Sequence, residues 1–86
     1  MQLVIKGKIF ELPSDAECYI QQDTSTLHIS GKLCDTKSWE SWEFFCNYLK
    51  RIISEEELKA IGITISDTLL GLFFNGSVLP QGVILQ

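Results

Sequence analysis

The chain has 86 residues, 45% of them hydrophobic and 21% charged, and its seven basic and eleven acidic side chains give a net charge of −4. That is one domain's worth of chain, residues 1–86, with a real but modest core, and it excludes a multidomain enzyme. The basic residues are scattered, whereas nucleic-acid binding needs a clustered positive footprint, so the mild acidity points to simple solubility or to a basic protein partner.

Residues 2–12 alternate around Gly7, with Leu3, Ile5 and Ile9 on one side and Val4, Lys6, Lys8 and Phe10 on the other. The pattern is one strand, or two short ones bent at the glycine. Pro13, Ser14 and Asp15 make a turn, and ECYIQQ and TLHISGKL follow as two further strands joined around Asp23, Thr24 and Ser25, which completes a meander. The spacing of apolar residues before Gly7 returns 24 positions later before Gly31, and a similar run precedes Gly76. A glycine followed by lysine has no phosphate-loop context here, so the repeat is read as a bend or bulge that curves a sheet.

The stretch DTKSWESWEFFCNYLKRII carries the clearest pattern in the chain. At 100° per residue Trp39, Trp42, Phe45, Cys46, Tyr48, Leu49, Ile52 and Ile53 fall on one arc, while Glu40, Glu43, Asn47, Lys50 and Arg51 take the other. This predicts an amphipathic helix over 37–53, capped by Asp35, Thr36 or Ser38, with Lys50 and Arg51 at its negative end. Phe44 projects to the polar side and Trp39 sits at the opposite margin, so the apolar surface is larger than one packed face. Ser54 and Glu57 form a capping box for a short second helix to about Ile61, which Gly62 ends. The glutamates 55–57 diverge by 100° each, which suits the helix dipole and not one metal ion.

Ile63 to Ser66 is a short strand. Beyond it, residues 68–86 lack any charged side chain and over half of them are Leu, Ile, Val or Phe. Asn75-Gly76 between apolar runs predicts a type I′ hairpin, preferred over a short helix across 66–74 capped by Ser66 and Asp67. Polar residues, Pro80 and glycines interrupt this tail too often for a membrane span. Its strands are either covered on both faces or meet a second chain.

No catalytic arrangement emerges. His28 and Cys34 lie roughly 20 Å apart along an extended strand, too far for a dyad. His28 alternates with Leu27 and Ile29 and is expected to face away from the core, exposed, beside Tyr19 or Gln21. Cys18 is expected in the core, and Cys34 is the candidate reactive thiol. Three cysteines and His28 formally make a zinc set, yet no two are closely spaced, so neither a metal nor a cofactor site is read. The absence of a CxxC and of a signal-peptide layout fits reduced thiols in a cytoplasmic protein.

The sequence therefore predicts an α+β fold in which an antiparallel sheet, a meander plus a C-terminal hairpin, packs on one long helix in the order β-β-β-α-(short α)-β-β. The expected role is a noncatalytic protein-interaction module, such as an inhibitor, an immunity or antitoxin-like factor, or a regulatory subunit. The alternatives are a homodimer binding a small ligand between helix and sheet, and a structural subunit of a larger assembly. Trp39, Phe44, Leu72, Phe74 and Val78 are the expected contacts with a partner or a second copy, and neither nucleic acid nor membrane is an expected partner.

Overall fold

The computed structural model describes residues 1–32, 35–66, 68 and 70–86. The reading of Cys34 as a reactive thiol and that of Asp67 as a helix cap lie outside the described residues.

The fold is α+β, with strands, the long helix, the short helix and strands in the predicted succession, but the described residues form seven strands where five are predicted. Residues 2–12 form two strands, β1 (Gln2–Ile5) and β2 (Lys8–Glu11), and β3 (Glu17–Gln21) and β4 (Thr26–Ser30) follow. Helix α1 (Thr36–Ile52) and helix α2 (Glu55–Ile61) come next, then β5 (Ile63–Ser66), β6 (Gly71–Phe74) and β7 (Val83–Leu85). The strands divide into two antiparallel sheets, β2-β1-β7 and β3-β4-β6-β5. The meander is thus split: β2 does not pair with β3, because the chain leaves one sheet at Leu12 and enters the other at Glu17.

The bend expected at Gly7 is a tight hairpin. Ile5 pairs with Lys8, and both turn residues, Lys6 at φ 52° and Gly7 at φ 80°, are left-handed, as a type I′ turn requires. The turn predicted at Asn75-Gly76 does not form, since neither residue has a positive φ. These residues continue the edge of β6 instead: Leu27 N–H donates to Gly76 C=O at 2.8 Å and Asn75 N–H to Gly62 C=O at 3.0 Å. The hairpin near the C-terminus is β5–β6, with Ile63 opposite Phe74 and Ser66 opposite Gly71, while β7 crosses to the other sheet and pairs with β1. No helix occupies 71–74, where β6 sits between β4 and β5.

The helices form for the local reasons the sequence offers. Asp35 accepts the Ser38 N–H at 2.7 Å and caps α1, whose last turn carries Lys50 and Arg51 beside its negative dipole end. Ser54 accepts the Glu57 N–H, and Gly62, at φ 100°, closes α2 in the left-handed conformation. The buried face of α1 is narrower than the predicted arc. Trp42, Phe45, Cys46 and Leu49 are buried, with Ile53 just past the end, whereas Tyr48, Ile52 and Trp39 on the margins are exposed.

One hydrophobic cluster joins both sheets and both helices, including Leu3, Ile5 and Phe10 from the first sheet, Ile29, Leu72 and Phe74 from the second, and Leu58 from α2. Asp15 ties this core to the helix. Its carboxylate accepts the indole N–H of the fully buried Trp42 at 2.8 Å, the Ser38 hydroxyl at 2.5 Å and the Lys32 backbone N–H at 3.1 Å. Gly31 makes room for this contact: a Cβ there would lie 2.0 Å from the Trp42 nitrogen and 2.6 Å from the Asp15 carboxylate. The repeated glycines are thus not a shared bulge. Gly7 makes a turn, and Gly31 permits a close approach.

Hydrogen bonds from Ser38, and then from Trp42 and Lys32, outweigh partial burial and hold the Asp15 carboxyl below its ordinary value. A lowered carboxyl pKa stabilises the fold above the unfolded-state value of 3.8 and ceases to do so as pH falls through the folded value. Asp15→Ala should cost about 1–3 kcal/mol at neutral pH by leaving the Trp42 N–H without an acceptor. Urea unfolding should show the gap between wild type and Asp15→Asn shrinking as pH drops below the ordinary aspartate range. In the same assay Phe45→Ala and Leu49→Ala should each cost about 2–5 kcal/mol as cavities in the core.

Candidate functional site

The surface feature with most capacity for recognition is a groove between α1 and the edge strand β2. It encloses about 750 Å³ and is walled by Phe44, Phe45 and Tyr48 on the helix and by Ile9, Leu12 and Pro13 on the strand side. Lys37, Glu40, Ser41 and Glu11 supply its polar rim. Phe10 supports Tyr48 from below in an edge-to-face contact, ring centroids 6.0 Å apart. Phe44 is 74% exposed although its neighbour Phe45 is buried.

The strand side of the groove also offers backbone. In a two-residue hairpin the pair flanking the turn exchanges both hydrogen bonds, and bonded pairs alternate with unbonded ones. Ile5 and Lys8 are such a pair, as are Leu3 and Phe10, and Leu12 N–H continues the series to Met1 C=O at 3.1 Å. Ile9 and Glu11 therefore direct their N–H and C=O groups away from β1, toward an edge that no strand of the described residues pairs. The same register places Ile9 beside Val4, and Val4 beside Ile84, in an apolar row on the outer face of the first sheet. Ile9 is 62% exposed and Ile84 is exposed with it.

The other edges are less receptive. Helix α2 lies against β5, whose Ile63 is fully buried, and β7 is only three residues long. Strand β3 is an open edge bearing exposed Tyr19 and Ile20, but neither lines this groove.

Of the five contacts expected from the sequence, Phe44 alone lines the groove. Trp39 and Val78 are exposed elsewhere: Trp39 lies five positions from Phe44, about 140° around the helix, and Val78 belongs to the link between β6 and β7. Leu72 and Phe74 are buried in the core and offer a partner no surface, which corrects the expectation that the uncharged tail presents them. Ile9, Val4 and Ile84 were the residues sequence reasoning missed, whereas Tyr48 already stood on the apolar arc of the helix. The signal lay in the Lys6-Gly7 turn, because a two-residue turn moves Phe10 to the face of Leu3 and turns Ile9 outward.

His28 and Cys18 also depart from expectation. His28 faces away from the core beside Tyr19, as alternation predicts, yet it is only 5% exposed. It stacks on Phe73 with ring centroids 4.1 Å apart, is flanked by Tyr19, and shares a 2.9 Å hydrogen bond between Nε2 and Thr26. Cys18 is exposed, because β3 overhangs the core it was expected to join, while local burial pushes its thiol up. Since Cys18 and His28 project from opposite faces of one sheet and Cys46 is buried under α1, these three do not converge on a metal ion. Among the described residues no group of three or more His, Cys, Asp or Glu is placed to hold one. Among the described residues no helix is long and apolar enough to cross a membrane.

Exposure predicts contrasting mutants. Phe44→Ala should shift stability by no more than about 0.5 kcal/mol, against the core loss at Phe45, as chemical denaturation of the two variants will show. Equal losses would mean that Phe44 is covered within the chain. No family model, curated protein or solved structure matches this chain.

Proposed function

We propose that this chain is a noncatalytic protein-interaction module that takes an extended protein segment along β2 and under Phe44. The observation that carries the reading is the coincidence of a free strand edge with an exposed aromatic wall in one groove. Backbone groups of Ile9 and Glu11 supply affinity for any extended chain, and the apolar walls select its side chains, the division of labour seen in strand addition. An inhibitor, an immunity or antitoxin-like factor, a regulatory subunit or a component of a larger assembly would each use such a surface.

A small-ligand site in the same groove is the second reading, favoured by a volume within the usual range for ligand cavities. It lacks support from the polar groups. Asp15, whose carboxyl is held low by its hydrogen bonds, and Cys18, whose thiol is pushed up by burial, both lie outside the groove. A cytoplasmic setting belongs to the proposal and rests on the unpaired thiol of Cys18 on an open strand.

Cross-linking in native extract followed by mass spectrometry should place partner peptides at β2 and α1. Ile9→Asp and Phe44→Asp should abolish those cross-links without lowering the melting temperature. Retention of the partner by both variants would remove the groove as the binding surface.

A further inference from the structure

We infer that the segment taken by the groove is β2 of a second copy of this chain, paired antiparallel about a two-fold axis near Phe10. This rests on the reading of the groove as a protein-binding surface and names its occupant.

Strand β2 is self-complementary in the way an isologous contact requires. Its free hydrogen-bonding groups belong to Ile9 and Glu11, which are symmetric about Phe10. Antiparallel pairing about that residue sets Ile9 of each copy opposite Glu11 of the other and uses every free backbone group of the strand. The charges agree with this sense. Lys8 lies at the start of the edge and Glu11 at its end, so antiparallel strands keep like charges apart, whereas parallel strands would align like with like.

The helix fits the same axis. The contact between Phe10 and Tyr48 puts the middle of β2 level with Tyr48. Phe44, Tyr48 and Ile52, spaced four residues apart, are all exposed along one line of α1. A two-fold axis near Tyr48 sets Phe44 of each copy toward Ile52 of the other, so one operation covers both the strand edge and the apolar line. A standard interface takes about 800 Å² from each partner, some 15% of the 5372 Å² surface of this chain. Such a contact would cover both the free edge of β2 and the apolar line of about two turns through Phe44, Tyr48 and Ile52.

Sedimentation equilibrium of the full chain over micromolar to millimolar concentrations tests this. The expected result is a reversible dimer, with Glu11→Pro and Phe44→Asp each weakening association at least tenfold while circular dichroism and melting temperature stay near wild type. Proline at position 11 removes an N–H that points away from β1, so the hairpin keeps its own ladder. A dimer that survives both variants and falls apart with Ile20→Asp would place the contact on β3 and overturn the inference. A wild-type chain monomeric at millimolar concentration would also overturn it. In that case loss of heterologous cross-links in Phe44→Asp would still uphold the groove as a protein-binding surface, and their persistence would overturn both.

Discussion

The contact between Asp15 and the indole of Trp42 is the constraint on which the arrangement of this chain depends. Trp42 is the largest side chain in the core and carries one donor that must be satisfied where water does not reach. Asp15 supplies the acceptor from the link between the two sheets, and the same carboxylate binds Ser38 in the first turn of α1 and the backbone of Lys32 after β4. Three segments far apart in sequence are thereby fixed around one buried nitrogen. Gly31 is the steric condition for that meeting, since any side chain there would occupy the space of the hydrogen bond.

Fixing the start of α1 in this way also fixes what α1 exposes. The helix is held with Trp42, Phe45 and Leu49 inward, and the line of Phe44, Tyr48 and Ile52 is consequently turned toward the side of β2 or toward solvent. The groove is therefore a result of core geometry: the first sheet ends at β2, and the helix margin stands beside that end without closing on it. At one edge of the second sheet, by contrast, α2 lies against β5. Of the open edges β2 and β3, it is β2 that stands beside the aromatic wall of α1.

The charge-free tail has a different explanation from the one its composition suggested. Leu70, Leu72, Phe74 and Val83 are spent on the core, with β6 between two strands and β7 along β1. Among the described large hydrophobic residues of the tail, Val78 and Ile84 are exposed, and Ile84 joins the apolar row that reaches the groove. Among the described residues, surplus hydrophobicity comes to the surface chiefly on α1, through Trp39, Phe44, Tyr48 and Ile52, with Ile9 on β2 and Tyr19 and Ile20 on β3.

Sequence alone determined the elements whose causes are local. The amphipathic period and the Asp35 cap specify α1, and the Ser54 box with Gly62 specifies α2, because each signal acts within a few residues of the structure it produces. The α+β class and the order of elements follow from the same short-range patterns. Tertiary structure alone decided the partition of strands into two sheets, since pairing is chosen by what each face can bury and not by which strand comes next. It also decided the facing of Ile9. Read as one continuous strand, Leu3, Ile5 and Ile9 share a face; folded back at Lys6-Gly7, Phe10 joins Leu3 and Ile9 turns outward. Because side chains alternate with a period of two, that single turn moved an isoleucine from the expected core to the rim of the groove.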